Sequence, residues 1–231
     1  MVSRIARRGF CTVTSQPWLF VGLGNPGDLY KATRQNVGFK MIDAFAKSQG
    51  IPMNTFHFNA VVGKGYIKKI GSINEIPFLL AKPQTYMNLS GECTGPLVDY
   101  YKIPLNRVVV FHDDMDLPCG DLRLQSKGGR GRHNGLKSVI RHFNGNTEFA
   151  RLRIGVGRPP GRVDPKAFML QSFTASAQGH IDYALGEGAY AIKEIVCQGL
   201  TEAARCLKAQ HKINQMWLQE MRSDSQNRHK N

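Results

Sequence analysis

Residues Trp18 to Phe45, WLFVGLGNPGDLYKATRQNVGFKMIDAF, constrain the fold of this chain more than any other stretch. Trp18-Leu19-Phe20-Val21 is an apolar run too short for a helix, and Gly22, Gly24, Pro26 and Gly27 then break the chain, so a buried strand is expected to end in a tight turn with Asn25 at its tip. Val37, Met41, Ile42, Phe45 and Ala46 recur at helical spacing, which predicts a helix packed back over that strand. Between them a polar loop, Asp28 to Asn36, carries Tyr30, Lys31, Arg34, Gln35 and Asn36 at the carboxyl end of the strand, where open α/β sheets hold their ligands. The spacing Gly22-x-Gly24-x-x-Gly27 matches the dinucleotide fingerprint. Its context does not, because Pro26-Gly27-Asp28 and the polar loop separate the glycines from the helix that would have to face a pyrophosphate.

Further along, Ala60 to Ile67 and Phe78 to Ala81 read as strands, and Leu89 to Tyr101 as a helix with Ser90 as its N-cap. Arg107-Val108-Val109-Val110-Phe111-His112 is the clearest strand, its uninterrupted apolar run predicting a central position covered on both faces. It leads into Asp113-Asp114-Met115-Asp116, carboxylates at a strand's carboxyl end, a pattern that equally serves to cap a turn. Leu122 to Gln125 alternates like an edge strand, a helix is expected from Leu136 to Phe143, and Arg151 to Arg158 reads as a last strand with outward arginines. Ile181 to Leu207 is expected to be amphipathic helix, and the residues after Lys208 a polar, loosely held tail. The pattern predicts an α/β fold, a single three-layer domain with a twisted, mostly parallel or mixed sheet flanked by helices.

Charge narrows the partners. Lys and Arg number 31 against 17 Asp and Glu, a formal +14, which points to a polyanion and to nucleic acid before anionic lipid. Arg123, Lys127, Arg130, Arg132, Lys137 and Arg141 fall in one run without Asp or Glu, threaded by Gly128, Gly129 and Gly131, so that its backbone can approach phosphates closely. Part of the surplus belongs to the N-terminus, where Arg4, Arg7 and Arg8 stand among Ser and Thr with no acid. That is the composition of an organellar targeting peptide, and residues 1–17 are set apart as such, leaving 18–207 as the domain and 208–231 as the tail. No stretch approaches the ~20 apolar residues of a membrane span. The five cysteines form no CxxC pair and read as reduced thiols, and no two Cys or His stand at zinc-ligand spacing.

The blocks GLGNPG, TRQNVGF, YMNLSG, HDDMDLP, GRHNGLKS and RLRIGVGRP, in that order from about Trp18 to about Leu207, together resemble the bacterial-type peptidyl-tRNA hydrolase family. GIPMN, LAKPQTYMNLSGE and GRPPGRVDPKAF are similar to its plant organellar branch, which also contains a group II intron splicing factor without hydrolase activity. The resemblance implies cleavage of the ester between a peptide and the 3′ ribose of tRNA, with no metal or cofactor. It implies peptidyl-tRNA as partner, held by its acceptor stem and peptide main chain, and a monomer; the acid-free, arginine-bearing N-terminus points to the mitochondrion, with the chloroplast as alternative, and the lack of a long apolar stretch to no membrane partner. Carried over block by block, the family's asparagines match Asn25, Asn88 and Asn134, which would position the water, polarise the ester carbonyl and hold the peptide. Tyr30 and His133 join Asn88 and Asn134 as substrate-binding positions, and Arg123, Lys127, Arg130, Arg132, Lys137 and Arg153 as tRNA-binding ones. The Asp that orients the family's general base matches Asp113.

This sequence departs from the family at the base itself. Gln35 stands where the catalytic His of the TRHN block would be, and an amide has no proton affinity near neutral pH; loss of a general base typically costs about 10²- to 10⁴-fold. Asp113 and His133 are the alternative bases in the matching blocks, while alternation assigns His112 to the strand end. Arg132 replaces a usual glycine, and Gln125 lies near a lysine that many relatives carry for the tRNA 5′ phosphate. Two functions therefore follow: a peptidyl-tRNA hydrolase weakened at its base, or a noncatalytic RNA-binding or splicing cofactor on the same scaffold.

Overall fold

The computed structural model describes residues 16–69, 71, 73 and 75–228, so the arginine-bearing N-terminus lies outside the described residues but for its last two. In chain order the elements are β1 (Trp18–Gly22), α1 (Asp28–Lys31), α2 (Val37–Ser48), β2 (Thr55–His57), β3 (Ala60–Lys68), β4 (Glu75–Pro83), α3 (Gly91–Tyr101) and β5 (Val108–Asp114). There follow β6 (Leu122–Gln125), α4 (Asn134–His142), β7 (Ala150–Gly155), α5 (Pro165–Met169), α6 (Ala175–Gln198) and α7 (Leu200–Arg228). The strands form one mixed sheet in the order β2-β3-β4-β1-β5-β7-β6. β4, β1, β5 and β7 run parallel, and the antiparallel pairings β2–β3, β3–β4 and β6–β7 finish the two sides.

β1 is buried along its whole length because its two faces serve two cores. Trp18 and Phe20 join α2 and α6 through Met41, Ile42, Phe45 and Ile192, and Phe20 stacks on Phe111 with centroids 5.9 Å apart. Leu19 and Val21 face α3 and α4, against Leu97, Leu136 and Val139. A strand buried on both sides has no polar alternation to show, which is why β1 and β5 read as unbroken apolar runs.

Gly22 and Gly24 of the first turn have a packing explanation that needs no nucleotide, and Gly27 a backbone one, its φ of 99°. A Cβ on Gly22 would lie 2.3 Å from the carbonyl oxygen of Gly38, and one on Gly38 would lie 2.4 Å from that of Leu23 and 2.6 Å from that of Phe111. α2 therefore sits directly on the ends of β1 and β5, closer than any side chain allows.

Several local expectations are corrected. β7 lies inside the sheet between β5 and β6, so Arg151 is not outward: it is 1% exposed, donates to the carbonyls of Thr147 and Phe149 at 3.1 and 2.5 Å, and burial lowers its pKa to about 10. Ser90 does not cap α3 through its side chain; its hydroxyl donates to the Met87 carbonyl at 2.8 Å, closing the 3₁₀ turn Met87–Leu89. The C-terminal helical stretch is two helices, broken at Gly199, whose φ of 90° suits glycine. No Gly or Pro occurs from Leu200 to Arg228, and the tail expected after residue 207 instead continues α7. The short edge strand β2 had no counterpart in the sequence reading. Among the described residues no helix is long and apolar enough to cross a membrane.

Candidate active site

The carboxyl ends of the parallel strands β1 and β5 meet the first turn of α4 and two 3₁₀ turns, Arg34–Asn36 and Met87–Leu89. Asn36, 2% exposed, joins them. Its Oδ1 accepts from the Asn25 N–H at 2.8 Å and its Nδ2 donates to the Asn25 carbonyl at 2.9 Å, so the strand tip and the 3₁₀ turn are locked as a pair. Asn25 in turn accepts from the Met87 N–H through Oδ1 at 2.6 Å. With Oδ1 committed to Met87, the Nδ2 hydrogens are the end of Asn25 that can donate to a ligand. On the far side of Met87 comes α4: a Cβ on Gly135 would lie 2.8 Å from Met87 Sδ and 3.0 Å from His133 Cε1, so only glycine lets the helix start this close.

His133 caps α4. Its Nδ1 accepts from the Leu136 N–H at 3.2 Å, which places the proton on Nε2, and Nε2 lies 3.1 Å from Asp113 Oδ1. Both ring nitrogens of neutral His133 are thus engaged, and the lone pair a general base needs is spent on the helix. Asp113 is 8% exposed and draws its hydrogen bond from His133, not from residue 35. Gln35 lies on the 3₁₀ turn that packs against β5, and its Nε2 is buried with no hydrogen-bond partner among the described residues.

The neighbouring histidine is closed to base chemistry in a different way. His112 lies within β5, as alternation expected, and its Nδ1–H donates to the Asp113 carbonyl at 2.7 Å while its ring centroid is 4.8 Å from that of His133. Burial first, then the adjacent His133, lowers its pKa to about 4, against the opposing pull of Asp113 and Asp114. Asp114 meets Arg153 Nε through Oδ2 at 2.6 Å; burial opposes its ionisation, yet this hydrogen bond, the Asp116 N–H and the guanidinium charge together hold its carboxyl below the usual range.

The remaining sequence-assigned residues are spread more loosely. Tyr30 is half-buried on α1, Asn88 is exposed on its 3₁₀ turn, and Asn134 is exposed at the start of α4, where Lys137 Nζ donates to its Oδ1 at 3.3 Å. Arg123, Lys127, Arg130 and Arg132 are all exposed, with Lys127 3.6 Å from Glu148. Because β6 runs antiparallel to β7, the basic loop leaves at the end of the sheet opposite to the site and returns to it by His133, which meets Asp113. Arg153 is the basic residue whose charge is most directly committed, to Asp114.

Sequence reasoning missed Asn36 and Arg34 as architectural residues. An Asn before an apolar helix reads as an N-cap, and no local signal tells that its side chain reaches Asn25 instead. Arg34 is 6% exposed, donates to the carbonyls of Gln171 and Ser172 at 3.1 and 2.8 Å, and rests 4.0 Å over the Phe168 ring, tying the turn that bears Gln35 to the segment after α5.

Comparison with known proteins adds family and fold. Residues 19–215 match the family described as Peptidyl-tRNA hydrolase. A mitochondrial peptidyl-tRNA hydrolase of Oryza sativa subsp. japonica is 51% identical over 189 residues, covering 82% of this chain and 73% of that protein. A chloroplastic group IIB intron splicing facilitator of Zea mays is also 51% identical, over 185 residues, covering 80% of this chain and 70% of that protein. The crystal structure of a peptidyl-tRNA hydrolase from Acinetobacter baumannii superposes with a TM-score of 0.74 at 32% identity, covering 84% of this chain and 95% of that one.

Proposed function

The chain belongs to the peptidyl-tRNA hydrolase family, and on that premise we propose that it hydrolyses the ester joining a peptide to the 3′ ribose of tRNA, at a rate reduced by Gln35. The observation that carries the reading is the locked series Asn25–Met87–Gly135–His133–Asp113, which converges on the end of the central strands. In the proposed reaction a water adds to the ester carbonyl carbon, the oxyanion that forms is stabilised by amide donors such as Asn25 Nδ2 and Asn88, and the carbonyl re-forms as the ribose 3′ oxygen leaves with a proton. Gln35 can hold the water through its unpaired Nε2 side but cannot accept its proton. His133 has both nitrogens engaged and His112 is buried and neutral, which supports a slow reaction. Tyr30 and Asn134 are assigned to the peptide, and Arg123, Lys127, Arg130, Arg132, Lys137 and Arg153 to the acceptor stem.

A second reading, RNA binding without turnover, is favoured by the same lack of a base together with the 51% identity to a splicing facilitator. One comparison separates the two. Peptidyl-tRNA turnover by the full-length natural protein and by Gln35→His is expected to differ by at least about 10²-fold in favour of His. Equal rates would refute the assignment of the base position, and binding by both forms without cleavage would establish the second reading. The relatives named are plant organellar proteins; for this chain the proposal is the mitochondrion, entered by residues 1–17, with the chloroplast as alternative.

A further inference from the structure

A cluster of four rings lies on the side of the site away from the basic loop. At the tip of the β2–β3 hairpin, His57 and Phe58 stand 4.1 Å apart, Phe58 meets Tyr100 of α3 at 5.3 Å, and Tyr100 meets Tyr101 at 4.9 Å. Tyr100 is 61% exposed. The two-residue turn is Phe58-Asn59, with φ of 48° and 53°, between the paired residues His57 and Ala60. Turns of this hand normally take Asn, Asp or Gly at both positions, so a phenylalanine here is placed against its backbone preference. The ring, not the turn, accounts for it.

The cluster is joined to the site by hydrogen bonds. Asn59 O accepts from the Gln84 N–H at 2.7 Å and from Cys93 Sγ at 3.0 Å, and Gln84 begins the segment that leads to Met87, which Asn25 holds. The register Ala60↔Pro83 puts the hairpin tip at the same end of the sheet as the carboxyl end of β1, two strands away, or about 10 Å at ordinary strand spacing.

We propose that the ring cluster His57–Phe58–Tyr100–Tyr101 is an extended subsite for the peptidyl arm of the substrate, taking apolar side chains about three to five residues upstream of the ester, from a rise of ~3.3 Å per extended residue. This rests on the peptidyl-tRNA reading above. The two arms of such a substrate diverge from one bond, and with the nucleic acid on the basic side, the acyl arm faces β4 and β3. The rings themselves favour peptide over nucleotide. Tyr100 meets His57, Phe58 and Tyr101 edge to face, at 89°, 62° and 82°, which is a pocket for aliphatic and aromatic side chains more than a row of parallel faces for bases. Lys64 places its ammonium 5.1 Å over the Tyr101 ring, while α3, the helix that carries Tyr100 and Tyr101, also bears exposed Glu92 and Asp99, so the two elements that build the patch carry both signs of charge and not the one-sided charge of a phosphate track.

The test uses the full-length protein, with Phe58→Asn, which suits the turn, and Tyr100→Ala, which alters an exposed ring. Two probes, each carrying an amide in place of the ester so that binding is read without turnover, are a tRNA bearing one N-acetylated residue and a tRNA bearing a hexapeptide with leucine at the fourth residue from the linkage. The natural protein is expected to bind the long probe more tightly. Each variant should weaken the long probe roughly five- to tenfold, the scale of one buried apolar contact, and leave the short probe unchanged. Equal affinity of the natural protein for both probes would overturn the subsite, as would equal weakening of both probes or weaker binding of deacylated tRNA, which would make the patch an RNA surface. Because no cleavage is measured, discrimination between the probes survives even where the hydrolytic reading fails.

Discussion

His112 makes the stability of this protein depend on pH in a way that can be isolated. It is 4% exposed, and its pKa falls from 6.5 to about 4, chiefly through burial and next through His133. As the pH drops through about 6.5 the unfolded chain takes up a proton at this residue and the folded chain does not, until about pH 4. The unfolded state therefore binds more protons across that window, so stability falls with falling pH from about 6.5 and the loss levels off below about 4. The full shift corresponds to about 3 kcal/mol, and the part lost between pH 7 and pH 5 to about 2 kcal/mol. With a urea slope near 2 kcal/mol per molar, the midpoint should drop by about 1 M from this residue alone. Other histidines and carboxylates titrate over the same range, so the informative quantity is the difference between the natural protein and His112→Asn, whose amide retains an N–H for the Asp113 carbonyl. In urea melts followed by circular dichroism the variant should be less stable at pH 7 yet lose about 1 M less between pH 7 and pH 5. Parallel losses would show that the folded state protonates His112 as readily as the unfolded chain, and the burial argument would be wrong.

Three further outcomes are expected. Asn36→Ala removes both bonds to the Asn25 backbone and should cost about 2–4 kcal/mol, a fall in Tm of about 5–10 °C; a fall under about 2 °C would mean that water replaces the amide without loss. Replacing exposed Arg130 and Arg132 with Ala should flatten the dependence of tRNA affinity on salt by roughly one unit per lost phosphate contact, and an unchanged slope would remove the loop from the interface. A reporter fused to residues 1–17 should enter mitochondria, and cytosolic retention of the full-length fusion would count against the targeting segment.

The fold was legible where burial imposes a simple pattern. β1 and β5 announced themselves as unbroken apolar runs because both faces are covered, and α2 because one face is. Alternation failed at Arg151, which periodicity placed outward: β7 is interior, and the guanidinium is tolerated there because it can reach the carbonyls of Thr147 and Phe149. The C-terminal tail was misread because polarity was taken for disorder, although nothing in it interrupts a helix. In the site, the sequence blocks named Asn25, Asp113 and His133, but the partners that orient them are far away in sequence. The Asn25–Met87 and Asp113–His133 bonds span 62 and 20 positions, and no local rule reports such pairings.

Gln35 is where structure and sequence bear on function together. Its Nε2 is a buried donor with no acceptor among the described residues, and leaving such a group unpaired costs a folded protein about 1–3 kcal/mol. The amide is not needed to hold the site together, since Asn36 locks the strand tip, Arg34 anchors the turn and His133 engages Asp113 without it. Nothing in the fold draws on this amide, and an acceptor oxygen brought against Nε2 would supply the bond that the chain does not. The same geometry bounds what Gln35→His can restore. A histidine here would bring a lone pair to the turn that packs on β5, and with Asp113 Oδ1 occupied by His133 it would have to draw on the second carboxylate oxygen to fix its tautomer. Asp113→Asn in that background should therefore remove most of the regained rate. If the double variant cleaved as fast as Gln35→His alone, the carboxylate would be serving only His133, and the orientation of the new base would have to come from elsewhere in the turn.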